Sequence, residues 1–224
     1  MKTFLSSSIV GVLCGQFAYS AATVVERGIQ FTEVDFVNST MTLTNLNENE
    51  AVSLSGWRFC SHDENQTRRY SSRNGLNNLT LMPAQTLVIE FGSASGDLGT
   101  IGIGALGNFA GPFDRGPYSI SLYDGGSFGQ GANIVDHIQW SIDGVDNTTA
   151  DERSDEAQSG GVWSNQSLWV ATTAETELLV LDSPSATTIL HGPASYLAQI
   201  PEPSALVLGL LGGTLFFKRR RAAS

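Results

Sequence analysis

Short runs in which apolar and polar residues alternate constrain this chain most, because only an extended strand puts every second side chain on one face. Met41-Thr-Leu43-Thr alternates, and so do Val52-Ser-Leu54 and Trp57-Arg-Phe59. Leu79-Thr-Leu81, Leu87 to Phe91, Tyr118 to Tyr123, Ile134 to Trp140 and Leu178 to Leu181 continue the theme, with Trp169 ahead of the last run. Clusters of Gly, Asn, Asp and Ser separate the runs, as turns between strands require. No long amphipathic helical pattern precedes Ser204. The pattern predicts six to nine short strands in an antiparallel β-sandwich. Gly56 before Trp57 permits a positive φ or a close backbone approach, and the indole then fills the space between sheets.

A family resemblance rests on these residues. Met41-Thr-Leu-Thr-Asn45, Val52-Ser-Leu-Ser-Gly56-Trp57, Tyr70, Leu81-Met-Pro83-Ala-Gln85 and Leu87-Val-Ile89 together resemble the lamin-tail domain. Ser119-Ile-Ser-Leu-Tyr-Asp124-Gly125 followed by Ile134-Val-Asp136 is similar to that family's closing hairpin. The resemblance spans about residues 29 to 142 and implies an immunoglobulin-like sandwich. It departs from the family at Gln85, where glycine is usual. It departs again in the 26-residue stretch from Gly92 to Pro117, which carries eight glycines.

Both ends of the chain read as addresses. Lys2, the apolar stretch Phe4 to Tyr19 and the small residues Ala18, Ser20, Ala21 and Ala22 match a secretory signal peptide over residues 1–22, with cleavage after Ser20 or Ala22. Leu13 is too bulky for the position before a lipidated cysteine, so Cys14 is not read as a lipid anchor. At the other end, Pro201-Glu202-Pro203 is followed by the apolar run Ser204 to Phe217 and by Lys218, Arg219, Arg220 and Arg221. As a helix the run reaches only ~21 Å against a hydrocarbon core of ~30 Å, a marginal span. The four cations resist crossing and stop the chain at the inner face of the membrane. Residues 201–221 closely resemble the PEP-CTERM sorting signal of Gram-negative bacteria that make extracellular polysaccharide. The resemblance implies recognition of Pro201, Glu202 and Pro203 by an exosortase, with the inner membrane as a temporary stop before release outward.

Residues 23–192 remain as one domain and residues 193–200 as a linker. Between Thr23 and Ile200 the chain holds seven arginines, no lysine and 21 acids, a balance that repels nucleic acid phosphates. One of the two cysteines, Cys60, lies outside the leader, so no intramolecular disulfide can form and packing must supply the stability.

Catalytic signals are weak. Gly102-Ile-Gly104-Ala-Leu-Gly107 satisfies GxGxxG, but Gly111-Pro112 stops the helix that a dinucleotide site needs. Cys60 and His62 share one face of a strand without an evident group to lower the thiol pKa, so Cys60 reads as an ordinary cysteine at a strand end. His137 alternates opposite Ile138 and Trp140, which predicts an exposed side chain. His191 falls far off in a loop, so no zinc spacing exists. Acidic residues between Asp143 and Glu156, among them Asp146, Asp151 and Asp155, are weak calcium candidates in what reads as a solvated loop. No catalytic residue, resident metal or cofactor is expected.

The sequence thus predicts an all-β, immunoglobulin-like antiparallel sandwich between a signal peptide and a C-terminal transmembrane sorting helix. Its expected role is structural or adhesive, not enzymatic, at the cell surface or in the extracellular matrix of a Gram-negative bacterium. Exosortase and exopolysaccharide are its expected partners. A polysaccharide-binding or polysaccharide-degrading secreted protein is the alternative; a groove lined by Trp163 or Trp169 with facing acids would favour it.

Overall fold

A computed structural model describes residues 21–63, 68–71, 74–91, 100–102, 114–145 and 153–200. Seven strands lie before residue 92: β1 (Ile29–Asp35), β2 (Thr40–Asn45), β3 (Val52–Ser53), β4 (Arg58–His62), β5 (Arg68–Tyr70), β6 (Thr80–Leu81) and β7 (Thr86–Glu90). They are followed by β8 (Thr100–Gly102), β9 (Tyr118–Tyr123), β10 (Ile134–Ile142), β11 (Val170–Thr172), β12 (Leu178–Leu181) and β13 (Tyr196–Gln199). The six-residue α1 (Ser154–Ser159) is the one α-helix among the described residues. No helix in them is long and apolar enough to cross a membrane, and the run Ser204 to Phe217 lies outside them.

The strands form a six-stranded sheet in the order β13-β12-β1-β2-β7-β8, a five-stranded sheet in the order β11-β10-β9-β4-β5, and the small pair β3-β6. The expected all-β sandwich is present. The strand count exceeds the six to nine expected, and two pairings at sheet edges, β7-β8 and β10-β11, are parallel rather than antiparallel.

Alternation translates into packing as anticipated. In β2, Met41 and Leu43 point inward while the threonines between them are half-exposed. Their partners in register are Ile89 and Leu87 of β7, also buried. Phe31 and Val34 of β1 both reach the core although three residues apart, because the register shifts at Thr32. That bulge turns the strand and restores the inward face. From the other sheet Phe59, Ile120, Leu122, Ile138 and Trp140 complete one buried cluster. Phe31 meets Phe59 across the layers with ring centroids 6.2 Å apart, and Phe36 meets Trp140 edge-on at 5.6 Å.

Gly56 has φ +82°, and its amide donates to Asn77 Oδ1 at 2.9 Å. The chain then delivers Trp57 into the core with 2% of its surface exposed. In the turn before β7 the left-handed residue is Ala84, at φ +59°, and Gln85 Oε1 accepts from the Met82 amide. The loop around Gly92 to Pro117 lies mostly outside the described residues.

Residues 193–199, expected as a linker, belong to the fold. Pro193–Ser195 is a 3-10 turn and β13 pairs antiparallel with β12, from Leu181↔Tyr196 to Leu178↔Gln199. The sheet therefore continues to within two residues of Pro201.

Candidate functional site

The central strands β9 and β10 of the five-stranded sheet are buried on both faces. Its inner face is the apolar core, and register places Cys60, Ser121 and His137 in one row across the other face. Those three residues are buried, as are His62, Ser119 and Gln139 in the adjacent row. His137, expected at the surface, has no exposed area. Trp163 packs edge-on against its ring at 5.4 Å, and the segment after α1 covers the sheet there. Alternation had correctly separated His137 from Ile138; it carried no information about a second covering layer.

Ser121, His137 and Gln139 form a hydrogen-bonded chain in this layer. Gln139 Nε2 donates to the carbonyls of Gln166 and Leu168, both at 2.9 Å, which turns its Oε1 toward His137 Nε2 at 2.9 Å. His137 Nε2 must therefore carry the proton, leaving Nδ1 to accept from the Ser121 hydroxyl at 2.7 Å. A serine hydroxyl on an imidazole is the geometry of an activated nucleophile. Here Ser121 is fully buried, so no substrate reaches it and the arrangement ties strands together.

Cys60 also departs from expectation. It sits inside β4, buried, with the Arg153 guanidinium beside its thiol. Arg153 has φ +65° and pairs through its guanidinium with Glu156 and with the Tyr70 hydroxyl. Sequence reasoning found no cation near Cys60 because 93 positions separate the two residues. Cys60 and His62 are both closed to solvent, which removes them as a catalytic pair.

Asp136 is the residue that sequence reasoning missed. It is 1% exposed and sits at the register shift of β10, between Ile134 and Asp136. One carboxylate oxygen accepts from the Phe31 amide of the opposite sheet at 2.6 Å; the other accepts from the His137 amide at 2.8 Å and lies 3.3 Å from His191 Nδ1. His191 Nε2 donates to the Thr188 carbonyl at 3.0 Å. An imidazole with acceptors at both nitrogens is suited to the charged form. Tyr196 closes the cluster by donating to the Phe31 carbonyl at 3.3 Å. His191, expected to be remote, is thus central to an inter-sheet tie.

The two histidines titrate in opposite senses. Burial lowers His137 to about 4, so it is neutral in the folded protein. Burial also pulls His191 down, but the Asp136 charge and the hydrogen bonds to Asp136 and Thr188 raise it above 6.5 overall. The folded value of His137 lies below its unfolded one, so its share of stability is complete above pH 6.5 and is lost as the pH falls toward 4. That gap corresponds to about 3 kcal/mol. The folded value of His191 lies above its unfolded one, so its share is complete below pH 6.5 and is lost as the pH rises through the raised value. Urea midpoints measured against pH should peak near 6.5, and His191→Gln should flatten the alkaline side. An alkaline decline of the same size in that variant would refute the assignment.

All four ring nitrogens of His137 and His191 are engaged, so neither offers a lone pair to a metal. Among the described residues no group of three His, Cys, Asp or Glu side chains is arranged to hold a metal ion. Of the calcium candidates, Asp143 is exposed with φ +59°, and Asp155 opens α1 with its carboxylate on the Glu156 amide. Asp146 and Asp151 lie outside the described residues, as do Pro201, Glu202, Pro203 and Lys218 to Arg221.

A cleft of about 490 Å³ lies beside the Pro193–Ser195 turn and reaches His191 of the polar cluster. Leu168, Trp169, Leu190 and His191 line it with Gly144 and Ser164. Trp169 is only 3% exposed, while Leu168 and Leu190 are about half exposed. The cleft is thus apolar at its rim, with no carboxylate among its lining residues and no open aromatic face. A smaller cleft of about 280 Å³ on the other side of the turn shares His191, Ala194 and Ser195 and contains one acid, Asp182. Trp163 is fully buried and lines neither.

No family model matches this chain, and no curated protein matches it in sequence.

Proposed function

We propose that this chain is an exported, non-enzymatic β-sandwich, immunoglobulin-like in the manner of a lamin-tail domain, which a C-terminal sorting signal carries to the cell surface or extracellular matrix. The observation that carries the reading is the ordered tail: Pro201-Glu202-Pro203, a short apolar run, then Lys218 to Arg221. Its partners are an exosortase, the inner membrane before processing, and the exopolysaccharide outside. A structural or adhesive role is supported by the character of the clefts, since glycoside hydrolysis needs two carboxylates ~5 to 10 Å apart in an accessible groove. Neither cleft among the described residues supplies such a pair.

The experiment follows the tail in a host with an active exosortase. Full-length protein should appear first in the inner membrane and later outside as a shorter form lacking residues 204 to 224 by mass spectrometry. Glu202→Ala keeps both prolines and the whole apolar run, so the uncut membrane form should accumulate. If wild-type protein retains its tail at steady state, processing is excluded and the segment is an anchor.

A further inference from the structure

β13 leaves almost no slack between the fold and the tail. Gln199 is hydrogen-bonded into the sheet, its carbonyl accepting from the Glu177 amide at 2.9 Å. The apolar run begins at Ser204, five residues on. At ~3.4 Å per residue that tether reaches at most ~17 Å. Register then identifies what lies beside its exit. Gln199, Leu178, Asp35, Thr40, Glu90 and Gly102 are paired in sequence, one row across all six strands. That row closes one end of the sandwich.

The other sheet shares this end. Trp140 packs on Phe36, which follows Asp35, and Ile142 lies two residues beyond Trp140, paired with Thr172. Thr172 donates to the Arg115 carbonyl at 2.7 Å, and Arg115 Nε donates to the Thr176 carbonyl at 2.6 Å. Large apolar side chains at this end are exposed to solvent: Val37 is 61% exposed, Ile142 45% and Ile200 54%.

We infer that, while the tail is in place, this end of the sandwich rests on the bilayer with Val37, Ile142 and Ile200 in the lipid interface. The inference rests on the membrane-inserted tail proposed above. A tether this short holds the end against the surface at high effective concentration, so a modest apolar contact is enough to keep it there. Asp35, Asp63, Glu90, Asp143, Glu175 and Glu177 outnumber Arg68, Arg69 and Arg115 at the same end, so the fitting surface is zwitterionic and an anionic one repels it. Release of the tail frees the patch together with the domain.

The uncut full-length chain is reconstituted in phosphatidylcholine vesicles containing spin-labelled lipid, with an environment-sensitive fluorophore on Val37→Cys, Ile142→Cys or Ser55→Cys. All three positions are exposed, Cys60 is buried and Cys14 is replaced by serine in every variant, so folding and labelling specificity are preserved. Ser55 precedes β4 at the opposite end of the sandwich and serves as the control. Emission at 37 and 142 should shift to the blue and be quenched, emission at 55 should be unaffected, and phosphatidylglycerol should weaken the quenching. Flotation with the vesicles reports tail insertion separately. A chain that floats but shows no quenching at 37 and 142, or equal quenching at all three, overturns this inference and leaves the tail reading intact. A chain that does not float overturns both.

Discussion

Replacing Asp136 by alanine should lower the unfolding free energy by about 3 to 5 kcal/mol, the usual cost of breaking a buried ion pair by removing one partner. The carboxylate serves three groups at once: the Phe31 amide, the His137 amide and the His191 ring. The Phe31 amide depends on it, because β1 pairs with β12 only from Glu33 onward. Without Asp136 that amide is buried with no acceptor, which itself costs about 1 to 3 kcal/mol. His191 can shed its proton and escape the uncompensated charge, but it then loses the interaction that raised its pKa. Asp136→Asn retains one carbonyl oxygen and removes the charge, so it should fall between wild type and alanine. It should also abolish the alkaline decline assigned to His191. Urea titration of residues 23 to 200 at pH 6 and pH 8 measures both effects. A loss below about 1 kcal/mol in the alanine variant would show that the tie between the sheets contributes little.

Trp57→Ala should cost a similar ~3 to 5 kcal/mol by a different mechanism, the opening of a cavity in the core. The indole is 2% exposed and belongs to the single apolar cluster between the sheets. Its backbone is pinned where the chain enters the core. The Trp57 amide donates to the Leu54 carbonyl at 3.0 Å, and Gly56 is held in its left-handed conformation by Asn77. The surroundings therefore cannot collapse easily into the vacated space. Trp57→Phe should cost less, since the phenyl ring fills part of the volume. The two variants should differ in pH dependence as well: the Trp57 loss is constant from pH 5 to pH 8, because no titrating group is removed. A denaturation midpoint that barely moves in Trp57→Ala would place the indole outside the cooperative core.

Much of the sandwich was legible because alternation is a local signal. Met41 and Leu43 read as inward and Thr40, Thr42 and Thr44 as outward without knowledge of any partner strand, and the structure places them so. Gly56 and Trp57 were equally legible, since a glycine that needs positive φ and a large indole beside it announce a tight entry into a core. Read alone, the chain specified an all-β architecture, the inward residues of strands such as β2, β7 and β9, and the ordered motifs at its ends; β1, whose bulge breaks the alternation, was not legible.

Tertiary structure decided everything that depends on a second layer or on distant pairing. Alternation divides a strand into two faces but does not say how many of them will be covered, so His137 read as exposed until Trp163 was found against it. Asp136 meets Phe31 across 105 positions and His191 across 55, and Cys60 lies beside Arg153. No local pattern encodes such pairs, because they arise only when the two sheets dock and bring their buried polar groups within hydrogen-bonding distance. β13 was hidden for the same reason. Leu197 to Gln199 are exposed and only Tyr196 faces the core, so the segment lacks a strand's alternation. It is a strand because β12 offers an edge whose amides and carbonyls must be paired.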